Sequence, residues 1–546
     1  MHFWRDMRNK NIPAGLLTRR QWLWSAAVGA SWPIFAAQFA PLSFPGAQRT
    51  LCLNEDCSHF FTTRARNDLT AGLVAAFVDQ YANTQVGTLL FNPNCMRTSY
   101  ASEVWDPIWK GYDPFGPDDQ PLLKSTPSPG RELARAWIHT AWELDQKEID
   151  VYSWWINRCR LWGISPWISM RMNDVHNLSD PSSYIHSDFW RQNPRLRLPT
   201  SGGLDYGQSE VREYNMLLVR ELAARYDFDG LELDWMRSPA YFQPGCEAAG
   251  SLFLSEFVGE VRSLLNHWQS ARRHPIRLGV RVPSRPETAQ GLGLDAVTWV
   301  TTGLVDQLVV TPRWATVEFD MPIAAWRRLL EGADVTLVAG LELLLRPFPD
   351  SPFIQTNTLK TVRGAAASLL DLGADAIYLF NYMDSQTCIS DSQNYRALLR
   401  EVGSLDTLAA KARRHILTYT DSWAPSETPT YSLPVACQQG AWAEFRLPTG
   451  PRPVAGSVTV RLDVTGASEA QVSNWQVRVN DDACSFLGRA NVGPPCPPRP
   501  MFEFSVPACS VIRGYNRIAV LPNDLSPGQR ANIEWVEFEL FGSESY

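Results

Sequence analysis

The feature that most constrains the fold is a series of eight short apolar runs across residues 47–404, most of them followed by an amphipathic helical pattern. Continuous apolar strands that alternate with helices are typical of a parallel sheet covered by helices. Because eight such strands close a barrel, we predict an α/β fold with a (β/α)8 TIM barrel over residues 48–404. The runs are Thr50–Asn54, Gly87–Asn92, Ser165–Met172, Gly230–Met236, Ile276–Val282, Gln307–Thr311, Thr336–Leu343 and Ala376–Asn381.

The segments between these strands are helical patterns and two long insertions. The insertions, residues 93–129 and 173–207, follow the second and third strands, and loops of this length are usually functional. In a barrel they lie at the face where active sites are built, so we expect their aromatic residues to wall a deep cleft. These aromatic residues are Trp105, Trp109, Tyr112, Tyr184 and Trp190. The helical patterns are Leu69–Tyr81, Trp142–Trp162, Glu210–Tyr226, Leu252–Trp268, Ala324–Glu331 and Thr358–Leu372.

A second pattern begins after the barrel. Thr407–Tyr419 is a helical stretch, which predicts a helical linker over residues 405–427. Short alternating strands separated by turn residues follow, and they predict an all-β sandwich over residues 428–546. The predicted strands are Trp442–Leu447, Ser457–Val464, Trp475–Val479, Met501–Val506, Arg517–Leu521 and Asn532–Leu540. The segment Gly514-Tyr515-Asn516-Arg517-Ile518 resembles the galactose-binding-like jelly-roll modules that accompany many glycosidases. The resemblance implies a jelly roll that binds carbohydrate.

The first 45 residues resemble an export signal. Basic residues precede an uncharged apolar stretch, Trp22–Ala40, and the string Thr18-Arg19-Arg20-Gln21-Trp22-Leu23 is similar to the twin-arginine signal. The alternative is a membrane anchor, but Pro33 and Gln38 interrupt the stretch, which falls short of a clean span. We therefore expect a cleaved signal over residues 1–45, a periplasmic or extracellular protein, and no stable membrane span afterwards.

Composition narrows the range of partners. The formal net charge is −7 and the chain has no long basic run, so nucleic acid is not an expected partner. No strand is followed by G-x-G-x-x-G or by a P-loop, and no C-x-x-C pair occurs, so we predict no cofactor and no metal. The ten cysteines fit an oxidising compartment. Cys52/Cys57 and Cys484/Cys496 are close enough in sequence to pair, although sequence does not fix connectivity, and oligomeric state stays open.

The fourth strand carries paired carboxylates. Alternation over Gly230–Met236 puts Glu232 and Asp234 on one face and the leucines on the other, so both acids point into the barrel near its mouth. Buried paired carboxylates are costly unless they are satisfied or used. Asp234 is therefore a catalytic candidate. Glu232 is either functional or part of a structural ion pair with an arginine from a neighbouring strand.

The same strand resembles a known family. Asp229-Gly230-Leu231-Glu232-Leu233-Asp234-Trp235-Met236-Arg237 is similar to the fourth-strand signature of the glycosyl hydrolase-like family 10 proteins and their exported bacterial relatives. That resemblance implies a glycosidase-like barrel. The segment also resembles the chitinase motif D-G-x-D-x-D-x-E, but Glu232 replaces an Asp and Met236 stands where the catalytic Glu would be. A thioether cannot protonate a glycosidic oxygen, so the chitinase mechanism does not transfer.

Glycoside hydrolysis commonly uses two carboxyl groups, one as acid and one as nucleophile or base. Glu342 on the seventh strand is the best partner for Asp234, and the alternative is that Glu342 pairs with Arg313 or Arg346. We predict Asp234, Glu342 and Glu232 as catalytic residues. Polar side chains at the other strand ends suit a hydroxyl-rich ligand. The predicted substrate-binding residues are Asp56, His59, Asn92, Arg171, Asn173, Asp174, His176, Arg237, Arg281, Arg313, Asn381 and Tyr382.

Two rival functions stay open beside an exported glycoside hydrolase that cleaves an oligo- or polysaccharide. A metal-dependent amidohydrolase would carry H-x-H at the end of the first strand, where this chain has Asp56 and His59. A non-catalytic carbohydrate-binding protein on a degenerate barrel is the other alternative, and Met236 favours it. The two carboxyl groups of a hydrolase should face a cleft, whereas a glutamate held by an arginine with no second acid nearby indicates binding alone.

Overall fold

The structure is a computed structural model that describes residues 50–65, 68–238, 240–384, 392–452, 456–492 and 499–541. The predicted signal over residues 1–45 lies outside the described residues. The predicted barrel is confirmed: eight parallel strands close on themselves and follow one another around the ring in chain order. The strands are β1 (Leu51–Glu55), β2 (Val86–Phe91), β3 (Ser165–Arg171), β4 (Gly230–Asp234), β5 (Arg277–Pro283), β6 (Gln307–Thr311), β7 (Thr336–Leu341) and β8 (Ala376–Phe380).

Helices cover the outside of the barrel, largely where the sequence predicts them. The predicted helix over Trp142–Trp162 is two helices, because Glu148 adopts a left-handed φ of 56° and the Asp150 side chain caps the second one. The helices are α1 (His59–Thr63), α2 (Ala71–Ala76), α3 (Ser128–Gln146), α4 (Val151–Leu161), α5 (Asp188–Gln192), α6 (Ser209–Arg225), α7 (Glu247–Arg272), α8 (Pro286–Gly291), α9 (Ala296–Thr301), α10 (Ile323–Leu329), α11 (Leu359–Asp371), α12 (Ser392–Glu401), α13 (Leu405–Leu408) and α14 (Glu469–Val472), with 3-10 turns at Phe77–Tyr81, Pro194–Leu196, Trp235–Arg237 and Ala508–Ser510.

One large side chain fills the lower part of the barrel interior. Trp167 of β3 is buried, and glycines on the next two strands, Gly230 and Gly279, make room for its indole. A Cβ built on Gly230 would lie 2.3 Å from the Trp167 ring, and one on Gly279 would lie 2.8 Å from it. Trp167 therefore closes the barrel below the layers that carry charge.

Two antiparallel sheets follow the barrel. Their strands are β9 (Arg413–Ile416), β10 (Ala443–Pro448), β11 (Val458–Thr465), β12 (Gln476–Val479), β13 (Ser485–Val492), β14 (Arg499–Val506), β15 (Tyr515–Leu521) and β16 (Asn532–Leu540). The larger sheet has the order β9-β16-β11-β14-β13, with the two-residue strand Val435–Ala436 also paired to β16. The smaller has the order β10-β15-β12, extended by Asp482–Ala483, and a separate two-residue ladder joins Leu344–Leu345 to Gln355–Thr356.

The predicted helical linker over residues 405–427 needs correction. It holds only a single helical turn, α13, and then becomes strand β9 of the larger sheet. The Arg414 side chain is paired with buried Glu537 of β16, at 2.6–2.9 Å. The mostly basic run Arg413–Ile416 becomes a buried strand because an acidic partner on β16 neutralises Arg414, and local sequence does not reveal that partner.

Helix α11 of the barrel packs directly on β9. A Cβ on Gly364 would lie 1.9 Å from the Arg414 carbonyl oxygen, so the helix and the strand are in backbone contact. Ser368, one turn later, lies 3.0 Å from the His415 ring and donates to the Pro448 carbonyl. Residues 46–546 accordingly form one compact unit.

The structure describes both cysteines of one suggested disulfide, Cys52/Cys57. Cys52 and Cys57 are buried and form no disulfide in the described structure, so that suggested pair is wrong. They occupy β1 and the turn after it, where the chain holds them apart in separate surroundings. Cys496 lies outside the described residues, so the Cys484/Cys496 pair stays a prediction.

Among the described residues no helix combines the length and apolar character that crossing a membrane requires.

Candidate active site

The carboxylates predicted on β4 lie in successive layers of the barrel interior. Glu232 is level with Ser169 of β3, and Asp234, at the end of the strand, is level with Arg281 of β5. Both acidic side chains are completely buried. The strand ends at Asp234, and the 3-10 turn that follows lets the Met236 N–H donate to Asp234 Oδ1 at 2.9 Å. The predicted alternation thus holds for both acids and stops before Met236.

One guanidinium joins the two main catalytic candidates. Arg281 Nη1 donates to Asp234 Oδ1 at 3.2 Å, and Arg281 Nη2 donates to Glu342 Oε1 at 2.7 Å. The three side chains are 0–1% exposed. Glu342 follows β7 directly, so the ends of β4, β5 and β7 place the three groups side by side. Its partner is Arg281, not the predicted Arg313 or Arg346.

The two acids of this bridge have different surroundings. Burial raises the pKa of Glu342 to about 8, even though Arg281 opposes the shift. Asp234 instead accepts a backbone N–H from Met236 as well as both contacts from Arg281. The arrangement therefore places Glu342, whose pKa is raised, next to a second carboxyl group that is held by a backbone N–H and a guanidinium.

Glu232 occupies the layer below. Its Oε1 accepts from Ser169 Oγ at 2.6 Å and from Tyr378 OH at 2.8 Å, while Oε2 is buried without a hydrogen-bond partner among the described residues. Burial, helped by the charge of Asp234, raises the pKa of Glu232 to about 7. The structural ion pair that sequence left open is not formed in the described structure. Ser169 and Tyr378 were missed, although both lie at inward positions of their strands.

A second arginine organises the opposite side of the mouth. Arg171 donates to Asp174 at 3.0 Å, contacts Asp56, and lies 3.4 Å from Asn92 Oδ1. Burial by itself would raise the pKa of Asp56, but the charge of Arg171 lowers it well below its usual range. His176 is half exposed and lies 2.7 Å from Asp174 Oδ1. The structure therefore brings these five predicted residues together as a charge cluster.

Two of the predicted substrate-binding residues instead form hydrogen bonds to backbone groups of the protein. Asn173 donates to the carbonyls of Leu204 and Ala240 and accepts from the Leu204 N–H, so it ties two loops together. The Tyr382 hydroxyl donates to the Glu342 carbonyl at 2.8 Å and is buried. Both residues therefore stabilise the backbone around the mouth of the barrel, and their buried side chains are not directed at a ligand.

His59 belongs to a separate buried network. Its ring nitrogens lie 2.9 Å from Glu55 and 3.1 Å from Asp384. Burial opposes protonation, yet the two carboxylates raise the pKa of His59 to about 9. A completely buried, ion-paired imidazolium braces β1 against the segment after β8. Asn381, just beyond β8, has a left-handed φ of 62° and starts that segment.

Arg237 and Arg313 complete the predicted set. Arg237 ends the 3-10 turn after β4, and its guanidinium carbon lies 5.1 Å from the centre of the Phe380 ring. Arg313 follows β6, and its backbone N–H donates to Asp421 at 2.8 Å. Asp421 also accepts the N–H groups of the next two residues, so the segment after β9 holds this barrel loop. No sequence pattern indicated that Asp421 would bind this loop.

The aromatic wall predicted for the long insertions is not an open surface. Trp105 stacks on Tyr214 with ring centres 4.5 Å apart, and Trp190 lies under Arg197 at 3.5 Å. Both indoles are less than a tenth exposed. The cavity beside Arg171 in this region has a volume of about 20 Å³, room for about one water molecule. Trp105 and Trp190 are therefore packed into the protein and do not wall an open cleft in the described structure.

A larger cleft lies elsewhere on the molecule. It has a volume of about 410 Å³ and lies between the loop after β6, the segment after β9, and β10. Buried Glu318 accepts hydroxyl hydrogen bonds from Ser284 and Thr420, both at 2.7 Å. Burial raises the pKa of Glu318 to about 7. No sequence pattern indicated this cleft, because its walls come from distant parts of the chain. Within the described ranges no group of three His, Cys, Asp or Glu side chains is arranged to hold a metal ion.

Comparison with known proteins gives only remote similarities. Neither the protein-family models nor the curated proteins contain a match to this chain. Among solved structures, a cycloisomaltooligosaccharide glucanotransferase of Paenibacillus sp. is 10% identical over 90% of this chain and 58% of its own, with a TM-score of 0.31. A multi-modular chitinase of Paenibacillus sp. strain FPU-7 is 9% identical over 88% and 52%, with a TM-score of 0.38.

A chitinase of Bacillus thuringiensis is 11% identical over 90% of this chain and 100% of its own, with a TM-score of 0.34. This chain thus spans between half and three fifths of the length of the first two structures. Glycoside hydrolases are among its structural neighbours. At these identities and TM-scores the matches do not assign an activity, and they do not single out the family 10-like proteins.

Proposed function

We propose that this chain is a carbohydrate-active barrel protein that hydrolyses glycosidic bonds in an oligo- or polysaccharide, as a relative of the glycosyl hydrolase-like family 10 proteins. The observation that carries the proposal is the bridge in which Arg281 binds Asp234 and Glu342 at once. Glycosidases commonly use two carboxyl groups, one of them protonated as the acid, and the raised pKa of buried Glu342 suits it to that role.

In the proposed reaction Glu342 is the proton donor to the leaving glycosidic oxygen. Burial keeps its proton at neutral pH, because its pKa is about 8. Asp234 acts as nucleophile or as base toward water, and Arg281 fixes its orientation. Glu232 lies one layer deeper and adds to the negative field at Asp234 without contacting the sugar.

Two further parts of the proposal concern the ends of the chain. The C-terminal sheets are proposed to be a jelly-roll module that binds carbohydrate, on the resemblance of the segment 514–518. The protein is proposed to be exported through the twin-arginine pathway. Replacing Arg19 and Arg20 together with Lys should leave unprocessed protein in the cytoplasm, and undiminished periplasmic protein after that change would exclude this route.

The test of hydrolysis is a panel of glycans incubated with residues 46–546 and with the Asp234→Asn variant. We expect cleavage of at least one glycan and a loss on the order of 10³-fold or more in the variant, with binding retained. Asp118→Asn is a matched control, because that carboxylate is 78% exposed and is not one of the proposed catalytic or binding residues. Equal cleavage by wild type and Asp234→Asn would show that the assignment is wrong.

A non-catalytic carbohydrate-binding function is the second candidate, and one observation favours it. Asp234 and Glu342 are 0–1% exposed, and Arg281 satisfies both, so neither carboxyl group meets solvent in this conformation. Met236 also lacks an ionisable group where chitinases have their catalytic acid. Glycan binding without cleavage across the same panel would establish this candidate in place of hydrolysis.

A further inference from the structure

Arg237 lies at the mouth of the barrel and, unlike Arg171 and Arg281, has no counter-ion among the described residues. Its Nε is buried without a hydrogen-bond partner, and its guanidinium forms no ion pair with any residue that the structure describes. The Phe380 ring lies beneath it at 5.1 Å, and the same ring packs against Arg281 at 3.9 Å on the side of the catalytic candidates. Arg237 is therefore next to the proposed reaction centre.

The acids around Arg237 are already engaged. Asp56 and Asp174 are bound by Arg171, while Asp234 and Glu342 are bound by Arg281. These four acids attract the charge of Arg237 only electrostatically, without a hydrogen bond. The like charge of Arg171 repels Arg237 and so opposes that attraction. Burial, with Arg171 adding to it, lowers the pKa of Arg237, but a guanidinium stays charged at physiological pH.

Two more donors, on the segments after β4 and β6, have no hydrogen-bond partner among the described residues. The Tyr241 hydroxyl is buried without a partner in the described structure, close enough to Asp234 and Arg313 for their charges to influence it. The side chain of Arg313 is partly exposed and makes no hydrogen bond to a described residue. An unpaired cation whose Nε is cut off from water is costly, as is a buried hydroxyl without a partner, unless a ligand completes the set.

We propose that Arg237 is the receptor for an anionic group of the ligand, so that the glycan bound at this mouth is acidic, carrying hexuronate carboxylates or sulfate esters. A planar guanidinium binds either group through two parallel hydrogen bonds, which gives orientation as well as attraction. Arg313 and Tyr241 supply the flanking donors. The proposal rests on the proposed function only in taking the ligand to be a glycan, and it does not require cleavage.

The experiment measures binding by calorimetry with four acidic polysaccharides, polygalacturonate, alginate, hyaluronan and chondroitin sulfate. Each is compared with a neutral counterpart made by carboxyl reduction, combined with desulfation in the case of chondroitin sulfate. We expect at least one acidic polymer to bind at least about tenfold more tightly than its neutral form. Desulfated chondroitin, which keeps its carboxylates, and carboxyl-reduced chondroitin sulfate, which keeps its sulfate esters, distinguish the two anionic groups.

Variants locate the effect. Arg237→Gln should weaken binding of the acidic polymer about 10–100-fold, corresponding to the loss of a charge-assisted bidentate contact, and leave the neutral polymer unaffected. Arg237→Lys should recover part of the affinity. Arg277→Gln removes the same charge from an exposed side chain at the start of β5, on the opposite face of the barrel, and should change nothing. Circular dichroism and melting temperature verify that each variant is folded.

The outcomes separate this proposal from hydrolysis. Binding of an acidic polymer without cleavage refutes hydrolysis and leaves the role of Arg237 intact. Cleavage of neutral glycans only, equal affinity for charged and neutral forms, or no binding to any acidic polymer overturns the role of Arg237. An Arg237→Gln protein that is folded and binds the acidic polymer as well as wild type overturns it too.

Discussion

At the scale of single residues, burial decides what the charged groups in this barrel can do. Glu232, Glu318 and Glu342 are nearly or completely buried, and burial raises the pKa of each to about 7 or 8. Asp56 and Asp174 are also largely removed from water, but arginine and histidine neighbours lower their pKa values. The neighbours, more than the residue type, set the charge state.

The proposed proton donor predicts the alkaline limb of the activity profile. Glu342 must be protonated to act, so kcat/KM for the cleaved glycan should fall about tenfold per pH unit above about pH 8. The measurement is initial rate at subsaturating substrate from pH 5 to 10. Glu342→Gln should lose activity throughout, and an alkaline limb that begins near pH 5 would show that another group is the acid.

Glu318 predicts a pH dependence of stability that is independent of catalysis. Its pKa is about 7 in the folded protein and 4.5 ordinarily, so between these values the folded state keeps a proton that the unfolded chain has released. The free energy of unfolding should therefore fall as pH rises from about 4.5 to 7 and then level off. Glu318→Gln should gain stability relative to wild type across that window. Glu444→Gln, at an exposed site, should show no such change, and a parallel shift in both variants would contradict the account.

At the scale of elements, the strands were more predictable than the loops. All eight barrel strands and six of the C-terminal strands appear in the sequence as apolar or alternating runs, because a strand's own residues reveal burial on one or both faces. Strand β13 was missed since it is an edge strand with an irregular register at Gly488. Strand β9 was missed since its stabilising partner, Glu537, lies 123 residues from Arg414 in the chain.

The same contrast applies to the candidate site. The inward direction of Glu232 and Asp234 follows from alternation alone, and Glu342 follows from its place after the seventh strand. The partner of Glu342 could not be deduced, because ring closure determines which arginine faces it. The aromatic residues of the insertions were assigned to an open wall, but Trp105 stacks on Tyr214 of helix α6 and Trp190 donates to the Gly202 carbonyl of its own loop.

The packing around Trp167 gives a prediction for strand β4. Gly230→Ala places a Cβ against the indole, which the neighbouring strands hold in place, so we expect a loss of about 1–3 kcal/mol in the free energy of unfolding. Urea denaturation measures it. Trp167→Phe in the same chain should recover part of the loss.

Gly259→Ala is the matched control for this substitution. Gly259 lies within helix α7 and a Cβ there meets nothing within 4 Å, so this change should stabilise the protein by about 0.5–1 kcal/mol. If both alanine variants shift stability in the same direction, close packing at Trp167 is not what requires Gly230.

At the scale of the whole molecule, the barrel and the C-terminal sheets are held by close contacts. Helix α11 is built of small residues where it meets β9, and Lys360 at its start pairs with Glu539 of β16 at 2.7 Å. On the mouth side, Asp421 binds three consecutive N–H groups of the loop after β6. The segment that joins the two parts is thus anchored at both ends.

Gly364→Ala tests the importance of that contact. The added Cβ would meet the Arg414 carbonyl, a backbone group that cannot move aside, so α11 and β9 should separate. We expect a loss of at least about 1–3 kcal/mol in stability and faster proteolysis within residues 405–427. Gly130→Ala in helix α3, where a Cβ meets only ordinary contacts, is the control. Unchanged proteolysis in Gly364→Ala would mean that the contact is dispensable.

The position of β16 has a consequence for the order in which the protein can be made. This strand lies between β9 and β11, yet both partners precede it along the chain. During synthesis the earlier strands leave the ribosome long before the strand that joins them. The barrel can close while β9 and β11 still lack their shared neighbour β16 and the surface of α11 is not yet fully covered. The larger sheet should therefore stay incomplete until β16 has been made, and release of stalled chains short of β16 should yield a formed barrel beside an unformed sheet.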